Sequence, residues 1–507
     1  MVREGAGMKE DAAVLTIIER AGALRTQLYI DGHWCAATAG RRLPVVNPST
    51  EQVIAEVEAG GSEDVNCAVQ AAARALPGWK HTTGAVRGAL LRAIASGVQA
   101  RRARLALLQS LNNGKPQTEA QIDVDDVVAT FNYYAELAEQ LDQTGESAVA
   151  IPSSEYQARI RRDPAGVVAL IVPWNFPMVT TAWKLAPALA AGCTVVLKPS
   201  EVTPLPELEL AAIIEQAGVP RGVVNVVTGT GSDVGAPLTA HPLVAKVSFT
   251  GSTAVGAQVM KSAADTIKGV GLELGGKSSI IVFADADLDL AADLVAAGGF
   301  FNAGQMCSAT SRVLVERSVE AELVARLADR ASRTVVGDPF APGVQMGPLT
   351  NRAQYERVKR FIARGKAEGA RLVIEGEAPD GPGYFVKPTI FVDVPADSVL
   401  WREEIFGPVL CVRSFGTEDE AVQAANDTEF GLVATVVTQD IERGSKIAGE
   451  LEAGVVWINA PQLIFPQTSW GGYKRSSVGR ELGPFGLAAF QEIKQILMPA
   501  ARNIGGA

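Results

Sequence analysis

Histidine and cysteine are scarce in this chain of 507 residues, which limits the chemistry that it can perform. There are three histidines and five cysteines, and the cysteines are scattered without a C-x-x-C pair. An odd number of scattered cysteines predicts neither a disulfide framework nor a zinc site, and it favours a reducing compartment. A multi-histidine metal site and a Cys-His nucleophile pair are both disfavoured, so we expect no metal and a carboxylate as any general base.

The sequence also lacks long apolar runs and an excess of basic residues. No run approaches the roughly 20 apolar residues of a membrane-spanning helix. The 46 basic and 56 acidic residues give a formal net charge of −10, and no basic stripe interleaved with aromatic residues stands out. We therefore predict neither a membrane nor a nucleic-acid partner. Residues 1–24 carry acidic side chains and no apolar core, so we interpret them as a variable N-terminal extension of a cytoplasmic protein rather than a secretory signal.

Apolar residues make up 47% of the chain, enough to bury a core in two or three domains. From residue 167, short β-branched runs alternate with helical patterns, which is typical of a parallel sheet wound with helices. The predicted strands are residues 167–172, 194–197, 223–227, 244–249 and 279–283, with a helix at 204–216. A second alternating series at about 288–459 has strands at 312–315 and 409–412 and helices at 418–426 and 440–451.

Two further segments alternate polar and apolar side chains, as exposed antiparallel strands do. They are residues 146–162 and, more loosely, residues 488–498. Because an exposed strand edge leaves backbone groups unpaired, we expect these segments to find a partner.

Polar residues follow two of the predicted strands directly. Pro173-Trp174-Asn175-Phe176-Pro177 comes after the first strand, where open α/β sheets form a crevice. The amide of Asn175 could donate to an oxyanion, although a lone Asn beside Pro is more commonly a turn residue. Lys198-Pro199-Ser200-Glu201 ends the next strand and could grip a ribose diol, although a solvated salt bridge is the simpler interpretation.

Glycine-rich turns follow the next two strands. Gly229-x-Gly231-x-x-x-Gly235 opens a predicted helix, and Phe249-Thr250-Gly251-Ser252 precedes another. Glycines let the backbone approach a pyrophosphate, and helix N-termini favour anions, so either turn could hold a dinucleotide. The first spacing is not G-x-G-x-x-G.

Two more motifs contain a candidate base and a candidate nucleophile. Glu273-Leu274-Gly275-Gly276-Lys277 places a carboxylate at a strand end, where desolvation would raise its pKa and suit it to act as a base. The alternative is a surface carboxylate paired with Lys277. In Asn302-Ala303-Gly304-Gln305-Met306-Cys307-Ser308, the neighbours of Cys307 are polar and glycine-rich, consistent with an accessible thiolate. The other cysteines are interpreted as buried small apolar residues.

These motifs together resemble the aldehyde dehydrogenase superfamily in order and spacing, from residue 28 to residue 495. Glu403-Glu404-Ile405-Phe406-Gly407-Pro408 and Trp470-Gly471-Gly472-Tyr473-Lys474-Arg475 extend the resemblance. It is strongest to betaine aldehyde and aminoaldehyde dehydrogenases. The implied fold class is α/β, with an open Rossmann-like NAD-binding domain (1–143 and 164–275), a second α/β catalytic domain (276–485), and a small β oligomerisation element with the tail (144–163 and 486–507).

The resemblance also implies roles for individual residues. Cys307 is the nucleophile, Glu273 is the base, and Asn175 forms the oxyanion hole with the backbone N–H of Cys307. Lys184 and Glu481 match positions that assist proton movement. The implied NAD contacts are Trp174, Lys198, Ser200, Glu201, Gly231, Gly235, Phe249, Thr250, Gly251, Ser252, Leu274, Gly275, Glu404 and Phe406. Glu201 at the adenosine ribose favours NAD over NADP, because a carboxylate would repel the 2′-phosphate.

Four aromatic residues match the box that holds the cationic substrate in aminoaldehyde enzymes: Phe176, Trp183, Phe301 and Trp470. Aromatic faces attract an ammonium group. Phe176 and Phe301 stand where relatives often have Tyr or Trp, which weakens the cation site. The four aromatic residues together predict betaine aldehyde or an aminoaldehyde as the substrate. The weakened cation site leaves an apolar or aromatic aldehyde as the alternative.

The resemblance predicts NAD-dependent oxidation of an aldehyde to the acid by a homodimer or homotetramer. The alternatives are a CoA-acylating enzyme of the same fold, a catalytically silent binding protein and an unrelated Cys hydrolase. Glu273 argues against CoA acylation, because enzymes of that kind tend to lack this glutamate. The intact set of Cys307, Asn175 and Glu273 argues against a silent protein. A Cys hydrolase lacks an obvious partner histidine.

Overall fold

The computed structural model describes residues 22–500. Residues 1–21 of the predicted extension, and residues 501–507 of the tail, lie outside the described residues. The strands are β1 (Leu28–Ile30), β2 (His33–Cys35), β3 (Arg42–Val46), β4 (Val53–Glu58), β5 (Glu146–Val149), β6 (Tyr156–Pro164), β7 (Val167–Ile171), β8 (Thr194–Lys198), β9 (Val224–Val226), β10 (Lys246–Thr250), β11 (Gly269–Glu273), β12 (Ser279–Val282), β13 (Arg312–Glu316), β14 (Arg371–Glu375), β15 (Thr389–Val392), β16 (Val409–Phe415), β17 (Phe430–Gly431), β18 (Val433–Val437), β19 (Val455–Ile458), β20 (Tyr473–Lys474), β21 (Ser477–Val478) and β22 (Gln491–Pro499).

The α-helices are α1 (Ser62–Lys80), α2 (Gly84–Ala100), α3 (Arg102–Asn113), α4 (Gln117–Thr144), α5 (Pro177–Ala191), α6 (Leu205–Gln216), α7 (Ala236–Ala240), α8 (Thr253–Ala264), α9 (Leu288–Phe300), α10 (Glu320–Arg333), α11 (Arg352–Ala367), α12 (Val399–Arg402), α13 (Glu418–Asn426), α14 (Ile441–Glu450) and α15 (Gly483–Ala488). Short turns of other helix types cover Gly231–Gly235, Phe301–Gly304 and Arg317–Val319. None of the described helices has both the length and the apolarity needed to cross a membrane.

The first sheet has eight strands in the order β2-β1-β9-β8-β7-β10-β11-β21. The five strands β9, β8, β7, β10 and β11 run parallel to one another. Its central strand β7 is buried at every position. Val168 and Leu170 pack into one core, and Val167, Ala169 and Ile171 pack into another on the opposite face. A run of β-branched residues suits a strand covered on both faces. The parallel strands end at one edge, which is where the polar motifs lie.

The second sheet has seven strands in the order β14-β15-β16-β13-β12-β18-β19, all parallel except β14. β12, predicted within the series that begins at residue 167, pairs with β13 and β18 and so belongs to this second sheet. Alternation in the sequence marks a strand but does not identify its neighbour. Near the end of the chain, β21 returns to pair with β11 of the first sheet.

The two exposed segments predicted from their alternation pair with each other. β6 lies between β5 and β22 in an antiparallel sheet of three strands. The register runs from Gln491 opposite Pro164 to Pro499 opposite Tyr156. On β22, Ile493 is 70% exposed and Leu497 is 56% exposed, so one surface of this small sheet is apolar and uncovered within the chain.

Candidate active site

A pocket of about 640 Å³ lies between the two large sheets, at the carboxyl ends of β7, β10 and β11. Since β8 lies on one side of β7 and β10 on the other, this edge is a switch point of the sheet, where α/β proteins bind ligands. The predicted residues that line the pocket are Trp174, Asn175, Phe176, Trp183, Thr250, Gly251, Ser252, Glu273, Leu274, Gly275, Phe301, Cys307, Glu404, Phe406, Trp470 and Glu481.

The other predicted residues lie outside this pocket. Lys184 is fully buried on α5 and forms an ion pair with Glu481. Lys198, Ser200 and Glu201 follow β8, the neighbour of β7. Gly231 and Gly235 bound the helical turn after β9. Phe249 on β10 faces the core, and its ring touches the position that a Cβ on Gly251 would take.

Cys307 follows a turn with an unusual backbone. Asn302 (φ 49°) and Ala303 (φ 54°) both adopt the left-handed conformation, which non-glycine residues rarely do. Gly276 packs so closely that a Cβ there would lie 2.5 Å from the carbonyl oxygen of Cys307. The Cys307 side chain is partly exposed to the pocket, but burial, followed by the charges of Glu404 and Glu273, raises its pKa to about 12. Burial, more than the two carboxylates distant in sequence, disfavours the charged form of this thiol, and the accessible thiolate stays a prediction.

Asn175 is held to the Cys307 loop by hydrogen bonds in both directions. Its Nδ2 donates to the carbonyl oxygen of Gln305 (3.0 Å), two residues before the cysteine. Its own carbonyl oxygen accepts hydrogen bonds from Asn302 Nδ2 (3.0 Å) and from Lys115 Nζ (3.1 Å). The side chain lines the pocket and is 5% exposed. Asn175 therefore does more than stabilise a local turn, since its amide bridges two segments of the site.

Glu273 at the end of β11 is 5% exposed, and its Oε2 has no hydrogen-bond partner among the described residues. Burial raises its pKa well above the ordinary value, Glu481 raises it further, and Lys184 and Arg480 oppose the shift. Lys277 is 1% exposed and makes no ion pair with it, so the alternative of a surface pair is wrong. A carboxylate in this setting can accept a proton near neutral pH.

Glu481 and Lys184 connect Glu273 to a second group of polar side chains. Their ion pair is largely buried, and Ser248 Oγ donates to the same oxygen of Glu481 at 3.5 Å. The backbone of Glu481 pairs with that of Trp470 through two hydrogen bonds of 2.7 and 2.8 Å. This bridge fixes the carboxylate beside the pocket, where its charge raises the pKa of Glu273.

The part of the pocket lined by Ser252, Gly275 and Glu404 has the features of a dinucleotide site. Ser252 caps the N-terminus of α8 by accepting from Val255 N–H, and backbone N–H groups at such a terminus favour phosphate. Glu404 accepts from Gly276 N–H at 3.1 Å. A Cβ on Gly275 would lie 2.3 Å from Glu404 Oε2, so a side chain at this position would displace the carboxylate. Burial raises the pKa of Glu404 to about 7.

Lys198 and Glu201 form an ion pair of 2.8 Å, with the Lys198 side chain buried and that of Glu201 40% exposed. The exposed carboxylate is free to accept a further hydrogen bond. On the other side of the crevice, the rings of Trp174 and Phe406 meet edge to face at 5.3 Å between centroids.

The four aromatic residues face one another in two pairs. Phe176 and Phe301 lie nearly parallel (10°) at 6.4 Å between ring centroids, and Trp183 and Trp470 are 5.4 Å apart. Lys115 Nζ lies 4.1 Å from the centroid of Phe176, so one aromatic face already has a cation of the protein against it.

Sequence reasoning missed several residues that the fold brings to this site. Lys115 is fully buried and forms a 2.5 Å ion pair with Asp123. Asp126 accepts from Trp183 Nε1 at 2.8 Å, and burial raises its pKa to about 7. Glu119 accepts from the backbone N–H of Asn302 at 3.0 Å. The only signal in the sequence was three acidic residues at helical spacing on α4. The same pattern is typical of the solvent-exposed face of a helix, so it does not indicate a site.

The arrangement brings a thiol, an amide donor and a buried carboxylate to one pocket, which suits covalent catalysis on a carbonyl carbon. Among residues 22–500 there is no group of three or more potential metal ligands.

Comparisons with known proteins find similar proteins over most of the chain. The model of the aldehyde dehydrogenase family matches residues 34–496. A chloroplastic aminoaldehyde dehydrogenase of Arabidopsis thaliana is 47% identical over 487 residues, which is 95% of this chain and 97% of that protein. A peroxisomal aminoaldehyde dehydrogenase of Malus domestica is 46% identical, with 93% and 95% covered. The structure of a betaine aldehyde dehydrogenase from Staphylococcus aureus in complex with NAD+ has a TM-score of 0.92 at 38% identity, with 97% and 98% covered.

The same comparisons correct the expectation of a cytoplasmic protein. The similar proteins from Arabidopsis thaliana and Malus domestica are chloroplastic and peroxisomal, respectively. Scattered cysteines disfavour a disulfide framework, but they do not separate one reducing compartment from another. The cytoplasmic prediction was therefore wrong.

Proposed function

The chain belongs to the aldehyde dehydrogenase family, and we propose that it oxidises an aldehyde to the carboxylic acid with NAD as the hydride acceptor. The observation that carries this proposal is the convergence of Cys307, Asn175 and Glu273 on one pocket. Glu404 and the turn at Thr250–Ser252 line the other end of the same pocket, so cofactor and aldehyde can meet in it.

The residues at that end fit NAD. Gly275 leaves room for Glu404 against the turn, and a Glu404 oxygen within this crevice can accept from a ribose hydroxyl. Ser252 and the N-terminus of α8 offer N–H groups to a pyrophosphate. Lys198 and Glu201 would hold the adenosine ribose. When bound there, NAD supplies the acceptor for the hydride that the aldehyde loses.

Cys307 begins the reaction by adding its sulphur to the aldehyde carbon. Because its pKa is about 12 in this structure, the thiol must lose its proton as it attacks, and the neighbouring carboxylate Glu273 can receive it. The amide of Asn175 and the backbone N–H of Cys307 stabilise the oxyanion of the tetrahedral intermediate. Oxidation then leaves an acyl thioester on Cys307.

Glu273 completes the reaction as the base that activates water. The raised pKa of Glu273 makes it a stronger base than an exposed carboxylate. Water attacks the thioester, the acid leaves, and the proton can pass from Glu273 to Glu481, whose partner Lys184 keeps it oriented. The intact base favours hydrolysis over transfer of the acyl group to coenzyme A.

NADH formation with a panel of aldehydes, with and without coenzyme A, tests this proposal. We expect NADH and free acid without coenzyme A. An absolute requirement for coenzyme A would favour the acylating alternative, and no NADH with any aldehyde would favour a silent binding protein.

Two substrate classes are proposed for the same pocket. The aromatic pairs and the carboxylate of Asp126 suit a cationic aldehyde such as betaine aldehyde or an aminoaldehyde. The exposed apolar side chains at the lining, Ile122 and Leu463, suit an apolar or aromatic aldehyde. Comparison of kcat/KM between trimethylammonium acetaldehyde and its uncharged isostere, 3,3-dimethylbutanal, distinguishes them, since only the charge differs.

We propose further that the protein is a homodimer or a homotetramer. The support is the sheet of β22, β6 and β5, whose edges and apolar side chains Ile493 and Leu497 are uncovered within one chain. Sedimentation of the active protein tests this, with Ile493→Glu/Leu497→Glu as the disruptive variant. A stable, active monomer of the unmodified chain would contradict it.

A further inference from the structure

A glutamine side chain from a distant loop contacts the backbone beside the nucleophile. Gln462 comes after β19, in the run of residues 460–464 that lines the main pocket. Its Nε2 donates to the carbonyl oxygen of Ser308 at 3.1 Å. Ser308 directly follows Cys307, whereas Gln462 lies 154 positions further along the chain. The tertiary structure therefore brings an amide donor to the loop that carries the nucleophile.

The partner of this amide determines which of its two polar atoms is used. A carbonyl oxygen only accepts hydrogen bonds, so the atom of Gln462 that faces Ser308 is the nitrogen. The amide oxygen of Gln462 has no hydrogen-bond partner within the described part of the chain. Among residues 22–500, no other group donates to the Ser308 carbonyl, and Ser308 is 7% exposed. Loss of the Gln462 donor would therefore leave a buried carbonyl without a partner.

The packing around this amide leaves little space for anything else. Gly298 on α9 lies against it, and a Cβ at that position would be 2.2 Å from Thr310 Oγ1 and 3.2 Å from Gln462 Nε2. The carbonyl oxygen of Gly298 accepts from the N–H of Thr310 at 3.1 Å. Helix α9, the loop after the nucleophile and the loop after β19 thus meet at the Gln462 side chain.

The Ser308 carbonyl belongs to a short chain of hydrogen bonds that leads to the N–H of Cys307. The C=O of Ser308 and the N–H of Ala309 are the two ends of one peptide group, and this N–H donates to the carbonyl oxygen of Met306 at 3.1 Å. The C=O of Met306 and the N–H of Cys307 are likewise the two ends of one peptide group. The chain therefore runs from Gln462 Nε2 through two peptide groups to the N–H of Cys307.

This chain affects both the strength and the direction of the Cys307 N–H. A carbonyl that accepts a hydrogen bond polarises its own peptide group, which makes the N–H of that group a better donor. A planar peptide group that is held at its carbonyl also resists rotation. The Cys307 N–H is one of the two proposed oxyanion donors, so both effects act on charge that develops in the tetrahedral intermediate.

We propose that Gln462 is a positioning residue for the oxyanion hole, which orients and polarises the Cys307 N–H through the two intervening peptide groups. The inference rests on the proposed oxidation of an aldehyde and adds to it a residue from the wall of the pocket. Gln462 acts through the backbone of the nucleophile loop, so its contribution does not depend on the chain of the aldehyde.

Pre-steady-state formation of NADH in Gln462→Met tests the inference. Methionine has about the length of glutamine but no donor, so we expect NADH formation to slow by about tenfold, with KM changed by less than about twofold. The loss should be the same with propanal and with a longer aldehyde, because both present the same carbonyl group. Gln467→Met, at an exposed glutamine of the same loop, is the matched control and should keep the normal rate.

Gln462→Glu separates the effect of the donor from a general loss of packing. Glutamic acid has the shape of glutamine, but it can donate to the Ser308 carbonyl only when it is protonated. We therefore expect its rate of NADH formation, relative to unmodified protein at the same pH, to rise towards one as the pH falls. Comparison at each pH cancels the titration of Glu273, which both proteins share.

Two results would overturn the inference: an unchanged rate in Gln462→Met, or a loss in Gln462→Glu that does not become smaller as the pH falls. Failure of the unmodified protein to form NADH with any aldehyde would instead contradict the proposed function.

Discussion

The two ends of the main pocket are built in different ways. At the reaction end, Asn175 and Cys307 come from different sheets and are joined by hydrogen bonds between residues about 130 positions apart. On the cofactor side, Glu201 and Ser252 follow β8 and β10 of the same sheet and stay partly or fully exposed, with Glu201 just outside the pocket. Substitutions at the buried end should therefore have large effects on kcat, and those at the exposed end should change cofactor preference by smaller factors.

The largest effect is expected for Cys307→Ala. Removal of the sulphur eliminates the covalent intermediate, so kcat should fall by at least about 10³-fold. NAD binding measured by calorimetry should be unchanged, because the ribose and pyrophosphate contacts are at the other end. Cys67→Ser is the matched control, because Cys67 is exposed; the prediction that it is a buried apolar residue was wrong. Near-normal turnover in Cys307→Ala would contradict the role of Cys307 as the nucleophile and the contrast between the two ends of the pocket.

Asn175→Ala should lower kcat by about 10²- to 10³-fold with a small change in KM, because the amide stabilises charge that develops only in the transition state. Pre-steady-state kinetics would locate the loss in formation of NADH. If kcat stays the same, Asn175 has only a structural role at the boundary of the two sheets.

Variants at Lys115 test whether this residue positions the active site or only stabilises the fold. Lys115→Met leaves Asp123 buried and unpaired, so a loss of about 3–5 kcal/mol in stability is expected along with a fall of about tenfold in kcat. The double variant Lys115→Met/Asp123→Leu removes the unpaired charge. We expect it to recover the unfolding midpoint but not kcat, since the bond to the Asn175 carbonyl is still missing. Recovery of both would make Lys115 a stability residue alone.

The smallest effect is expected at the cofactor end. Glu201 would repel the 2′-phosphate of NADP, although its 40% exposure and its pair with Lys198 weaken that repulsion. Unmodified protein should prefer NAD, and Glu201→Gln should raise the ratio of kcat/KM for NADP to that for NAD by about five- to tenfold. An unchanged ratio would leave Glu201 without a role in cofactor choice.

Some features of this pocket could be predicted from the sequence because the signals for them are local. The strand predicted at 167–172 is β7 (Val167–Ile171), and the helix predicted at 418–426 has the same bounds in the structure, because β-branched runs and a capped amphipathic pattern are local signals. Glu273 stood at a strand end before two glycines, and that position is also local.

The environment of these residues was not predictable in the same way. The left-handed backbone of Asn302 depends on support from Glu119 across the fold. The high pKa of Cys307 depends first on burial and then on Glu404 and Glu273, all of which only the tertiary structure brings about. Lys115 has no local feature that separates it from a surface lysine. Patterns identify which side chains can react, but packing decides their charge and their orientation.

The raised pKa of Glu273 has a consequence for the pH dependence of the hydrolytic step. Its proton is lost only as the pH rises past that elevated value, so the basic form becomes more abundant at higher pH. The rate of thioester hydrolysis in the unmodified protein should therefore increase with pH, with a midpoint above the ordinary range of a carboxylate. In Glu273→Gln this dependence should be lost.

The most direct test of the central claim is the mass of Glu273→Gln protein after mixing with NAD and an aldehyde substrate. Acylation needs Cys307 and Asn175, whereas hydrolysis needs the base, so we predict a burst of about one NADH per site. The acyl group should remain on Cys307 and be identified by peptide mapping. Steady turnover at the unmodified rate, or an acyl group on any other residue, would contradict the account of this pocket.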